Sequence, residues 1–202
     1  MKKQIEYKFD LITAIALGSF KNRRVVTQGD AIVTAAQVIQ PKTDFYPTRI
    51  DLAIDVRTTV VSILSQTLAS SVDLKTQIKQ AHWNVKGMNF IQLHELFDEM
   101  ASELEEFVDM VAERITALGA VANGTARIAA EASILPEYPL DAVGGKEHVT
   151  ALADRYAVYG KHLREAIDKA DAAGDADTAD LYTEISRAID KRLWFLEAHL
   201  VG

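Results

Sequence analysis

The stretch KQAHWNVKGMNFIQLHELFDEM, residues 79–100, joins two helical patterns across one break. Ahead of the break, Leu52, Val56, Val60, Ile63, Leu68, Val72 and Ile78 recur at helical spacing. Beyond it, Leu93, Phe97, Met100, Leu104, Phe107, Val111, Ile115 and Leu118 follow in steps of three or four. Lys86-Gly87 stops the first run and Gly119 the second, where a residue free to take a positive φ ends a helix. A link this short predicts two long helices lying antiparallel as neighbours.

Working outward, Gly124, Pro136, Pro139, Gly144 and Gly145 interrupt the chain after Gly119, so the spacing predicts a connection holding at most a short helix. A third helix carries Val149, Leu152, Tyr156, Tyr159, Leu163 and Ile167 up to Gly174. The fourth opens in the Asp-rich GDADTAD and carries Leu181, Ile185, Ile189, Leu193, Leu196 and Leu200. Hairpin, crossover, hairpin is the topology of an all-α, ferritin-like four-helix bundle with a short helix in the long connection between helices 2 and 3. We place the bundle at residues 46–202 and an N-terminal basic extension at residues 1–45.

Composition agrees. The 202 residues include only ten Gly and four Pro, and 49% are hydrophobic, enough for one core of ordinary size. Without cysteine there is no disulfide, thiolate ligand or thiol nucleophile, so bound metal must use His, Asp and Glu. The net charge of −7 is unevenly spread. Residues 1–42 carry Lys2, Lys3, Lys8, Lys21, Arg23, Arg24 and Lys42 against three acids, a balance of +4, and the remainder carries −11. An acidic body attracts cations, while a basic tail reaches phosphates, as on DNA. The tail's pattern leaves disorder, packing on the body and a foreign addition all open. Glu6 and Asp10 argue against a secretory signal, and no run of eighteen apolar residues exists, so the expectation is a cytoplasmic protein without a membrane span.

The chemistry lies in five residues. His94 and Asp98 are four apart, as are Asp109 and Glu113, so each pair projects from one helical face as a two-toothed clamp. All four share one broad stripe. Eleven residues separate Asp98 from Asp109, roughly 16 Å at 1.5 Å per residue, whereas ligands stand about 2 Å from their ion. One chain cannot close that shell. A two-fold axis can, by laying the Asp109/Glu113 end of one subunit beside the His94/Asp98 end of another. His82, just across the turn, joins the His94 side. Taken singly, each residue is also explained as a solvated or helix-end side chain. An intrachain site built on Glu-x-x-His has no counterpart, because the residues three before the histidines are Lys79, Ile91, Gly145, Tyr159 and Leu196.

KQAHWNVKGMNFIQLHELFDEM, followed by FVDMVAER at 107–114 and GDADTADLYTEISRAIDKRLWFLEAHL at 174–200, closely resembles the Dps family of mini-ferritins, DNA-binding proteins from starved cells. The likeness covers about Tyr46 to Leu200. It implies a ferroxidase whose iron ligands are His82, His94 and Asp98 of one subunit with Asp109 and Glu113 of its two-fold mate. It further implies a hollow dodecamer that oxidises Fe(II), preferably with peroxide, stores the ferric product and protects DNA; DNA contact would place it on the nucleoid. Trp83 matches a family tryptophan near the iron centre and is expected to pack there, with simple core packing the equal alternative. Asp175, Asp180 and Glu184 match an acidic segment lining a three-fold pore, with helix capping the competing role for Asp175. His148, His162 and His199 lack spaced carboxylate partners and read as structural or surface residues. In the competing function the chain chiefly compacts DNA through its basic tail, with assembly supplying multivalency.

Overall fold

Long apolar stripes without internal breakers determine the helices. The computed structural model describes residues 45–201, and among these residues five helices and no strand occur. They are α1 (Ile54–Asn84), α2 (Phe90–Ala117), α3 (Ala126–Ala132), α4 (Gly145–Ala173) and α5 (Ala176–Ala198). The expected short helix of the crossover is α3. The basic extension, with its proposed DNA contacts, lies outside the described residues except for Phe45. None of the helices is long and apolar enough to cross a membrane.

α1 packs on α2 and α4 on α5, while α1 also meets α4 and carries α3. Every apolar residue read from the α2 stripe, Leu93 through Leu118, is buried. Leu64, Leu68, Leu74 and Ile78 of α1, Tyr156 and Leu163 of α4, and Ile185, Ile189 and Leu196 of α5 meet them in one core. Burying side chains of this size stabilises by about 1.5–3 kcal/mol each before conformational entropy is charged against it.

The centre of the bundle is hydroxylic. Ser71 Oγ and Tyr159 OH lie 2.6 Å apart, and Thr67 Oγ1 meets both Tyr182 OH and His162 Nε2 at 2.9 Å. Thr67 and Ser71 also bond back to the carbonyls of Ile63 and Thr67. Each hydroxyl thus has a partner, which makes burial tolerable. Burial pushes the phenols of Tyr159 and Tyr182 well above their ordinary range, so they remain protonated.

Two glycines shape the ends of α2. Gly87, at φ 116°, turns the chain between α1 and α2. Gly119, at φ 89°, follows α2, and a Cβ there would stand 2.6 Å from the Tyr46 carbonyl oxygen. That close approach lets Tyr46 N donate to Gly119 O at 2.7 Å, tying the chain ahead of α1 to the end of α2.

The turn after α1 is pinned to the start of α4. Lys86 N donates to Val143 O at 3.1 Å, and Gly145 approaches Leu93 so closely that a Cβ would meet its Cδ1 at 2.6 Å. Glu147 closes the N-terminus of α4 by accepting from the N–H groups of Val143 and Gly144, which hold its carboxyl below the usual range. Arg155, buried, strengthens the same end: it donates to Gln77 Oε1 and Ala151 O at 2.9 Å, reaches Glu137 O, and lies over the Tyr138 ring.

Candidate metal centre

The break at Gly87 brings the last turn of α1 against the first turns of α2, and there the two histidines lock. His82 Nδ1 donates to His94 O and His94 Nδ1 donates to His82 O, each at 2.8 Å. The rings stack with centroids 3.8 Å apart, inclined by 19°. The His82 carbonyl belongs to the last turn of α1, which has no helical N–H left to bond, so the imidazole satisfies an otherwise orphaned acceptor. A carbonyl can only accept, so both Nδ1 atoms carry a hydrogen, and in the neutral form of each ring Nε2 is then the nitrogen with the lone pair. This is how metal-binding imidazoles are held, with the second nitrogen fixing the ring.

Asp98 lies one turn beyond His94 and is exposed, whereas His82 retains only 9% of its surface. Asp98 Oδ1 stands 4.0 Å from His82 Nε2. Two ligand bonds of about 2.0–2.2 Å span such a gap, so imidazole and carboxylate fit either side of one divalent ion. In this structure Lys79 Nζ holds that same oxygen at 2.6 Å. Its hydrogen bond is the main reason the Asp98 carboxyl titrates below the usual range.

Asp109 and Glu113 sit one turn apart farther along α2, both exposed. With about 16 Å of helix between Asp98 and Asp109 they belong to a separate patch. Among the described residues no three His, Asp or Glu side chains converge to hold an ion. The chain therefore presents two incomplete clusters, one of imidazoles with a carboxylate and one of carboxylates alone.

Trp83 does not pack in the chain's own core. It is 67% exposed, because its position on α1 faces away from the chain's own core, and Lys79 Nζ lies 5.9 Å from its ring centroid. Asp175 also has another role. It is the N-cap of α5, accepting from Thr178 N at 3.1 Å and Thr178 Oγ1 at 2.7 Å, and both its oxygens take Arg114 Nη2 at 2.7 and 2.9 Å. Burial to 2% exposure pushes its carboxyl upward, but these donors outweigh that and hold it below the usual range. With both oxygens committed, Asp180 and Glu184 remain as the exposed acids one turn apart on α5.

The other three histidines form bonds away from this cluster. His148 is buried with Nδ1 2.7 Å from Tyr138 OH, and burial lowers its pKa. His162 joins the Thr67 cluster, and His199 donates to Phe195 O. Sequence reasoning missed Lys79 and Arg114; each gains meaning only from a carboxylate on another helix.

Known proteins share this architecture. Residues 61–202 match the ferritin-like domain family, which covers most of the chain and sets its class. The chain is 43% identical over 155 residues to the DNA protection during starvation protein of Agrobacterium fabrum, covering 77% of this chain and 96% of that one. Among solved structures, DpsC from Streptomyces coelicolor is 31% identical with a TM-score of 0.75, covering 78% of this chain and 92% of that one. Mycobacterium smegmatis Dps in its tetragonal form is 29% identical with a TM-score of 0.74, over 78% and 94% of the two chains. Within the ferritin-like class, the chain belongs to the Dps family.

Proposed function

We propose that this protein is a ferroxidase and iron store whose reactive centre forms between two subunits, with His82, His94 and Asp98 of one facing Asp109 and Glu113 of the other. The observation that carries the reading is the reciprocal His82–His94 lock, which leaves both Nε2 atoms free of the main chain and sets that of His82 4.0 Å from Asp98 Oδ1. Imidazole with carboxylate accommodates Fe(II), and the carboxylates become the better ligands as the ion hardens to Fe(III).

Iron is substrate here. Two Fe(II) ions each give up one electron to one hydrogen peroxide, whose O–O bond breaks to leave two Fe(III) and two hydroxides. The histidines and Asp98 bind and orient from one side, and the partner subunit's carboxylates supply the charge needed on the other. Asp180 and Glu184 suit the way in for cations, and a dodecameric shell suits the ferric store. Consuming iron and peroxide together would spare DNA, in keeping with the name of the Agrobacterium relative.

Purified assembly mixed with Fe(II) and peroxide should form ferric product rapidly, and the Asp109→Ala/Glu113→Ala double variant should do so far more slowly. Equal rates would sink the inter-subunit site. A second reading, DNA compaction in the cytoplasm through Lys2, Lys3, Lys8, Lys21, Arg23 and Arg24, draws on the +4 charge of residues 1–42. Gel shifts with and without those residues, across salt concentrations, test it; salt-insensitive or tail-independent binding would count against it.

A further inference from the structure

We propose that Lys79 is a place-holding cation of the half-site: it occupies Asp98 while no metal is bound, yields to the ion, and reclaims the carboxylate when the ion leaves. This rests on the reading of His82, His94 and Asp98 as ligands. Lys79 Nζ is 2.6 Å from the oxygen of Asp98 that faces His82 Nε2 at 4.0 Å. A charged ammonium has three donors and no lone pair, so it cannot become a ligand. It competes with an arriving ion for the carboxylate's charge, and an ammonium at 2.6 Å from that oxygen repels a second cation approaching it.

The structure also supplies somewhere for the displaced ammonium to go. Trp83 is four residues along α1 from Lys79, on the same helical face, and its exposed ring is already 5.9 Å from Nζ. Lys79 therefore has two stations, a carboxylate and an indole face, joined by a flexible stem. Lysine suits exchange better than arginine would, because a guanidinium fork grips a carboxylate through two bonds. The side chains are 27% and 56% exposed, so the pair is held loosely enough to open.

The functional gain is turnover. A centre that hands its oxidised ion to a store must release it, and a tethered cation that refills Asp98 favours release. The half-site also stays charge-balanced when empty, with one carboxylate against one ammonium.

The test uses the assembled full-length protein and Zn(II), which is redox-inert. Titration calorimetry on wild type, Lys79→Gln, Lys79→Arg and Asp98→Asn should show the Gln variant binding zinc about tenfold more tightly, equivalent to about 1.4 kcal/mol. The Arg variant should bind more weakly than wild type. In a Trp194→Phe background, zinc should change Trp83 fluorescence, and Lys79→Gln should abolish most of that change. Equal or weaker zinc binding by Lys79→Gln overturns the proposal. If Asp98→Asn weakens zinc binding while Lys79→Gln leaves it unchanged, the ligand assignment stands and only the lysine's role falls. If Asp98→Asn has no effect, the ligand assignment itself falls.

Discussion

Two subunits disabled in different ways should rescue each other when mixed. One carries His82→Gln and Asp98→Asn, the other Asp109→Asn and Glu113→Gln, and each alone should oxidise Fe(II) poorly. Unfolded together in equal amounts and reassembled, they pair at random, so about half of the two-fold dimers are mixed. A mixed dimer joins the intact histidine cluster of one chain to the intact carboxylates of the other at one interface, and two damaged clusters at the other interface. About a quarter of all sites are then whole, and the initial rate of ferric product formation should return to about a quarter of wild type. Rescue requires two chains because roughly 16 Å of helix separates Asp98 from Asp109, against about 2 Å for a ligand bond. An intrachain site predicts no rescue, because every chain carries a lesion. A mixture no faster than its parents, with assembly size unchanged by light scattering, would refute the two-fold pairing.

Other expectations concern stability. Asp175→Asn breaks a buried pair and should cost about 3 kcal/mol, seen as a lower urea midpoint at neutral pH. The folded carboxyl sits below its ordinary value, so its contribution is present above about pH 3.9 and lost as pH falls through the folded value; the gap between wild type and variant should narrow there. His148 is shifted down by burial, so the folded state loses stability as pH falls below about 6.5 towards its lower folded value. His148→Gln should flatten the dependence between neutral and mildly acid pH, and an unchanged slope would assign it elsewhere. Gly119→Ala meets a left-handed backbone and the Tyr46 carbonyl, so it should cost at least about 1–2 kcal/mol, a fall of several degrees in thermal midpoint.

The helices were legible because their stripes are long and their stops are glycines: Gly87, Gly119 and Gly174 all take positive φ. His82 and His94 could be placed together because only a turn separates them. What could not be read were contacts between residues distant in sequence. Lys79 and Asp98 are nineteen residues apart, Arg114 and Asp175 sixty-one, and nothing in local spacing pairs them. The two alternatives for Trp83 stayed open for a related reason. Helical periodicity says which face a residue shares, and only the packing shows that this face of α1 turns from the chain's own core.

The two histidines cannot be treated as independent letters. Each ring is fastened to the other's main chain and stacked on the other's ring, so removing one side chain leaves a carbonyl unanswered and strips the survivor of its stacking partner, while the survivor keeps its own bond to the main chain. Substituting both should therefore cost less than the two single losses added together, because the stacking contact is lost only once. For a lineage drifting away from metal chemistry, the second histidine would be the easier one to lose, because its stacking partner has already gone.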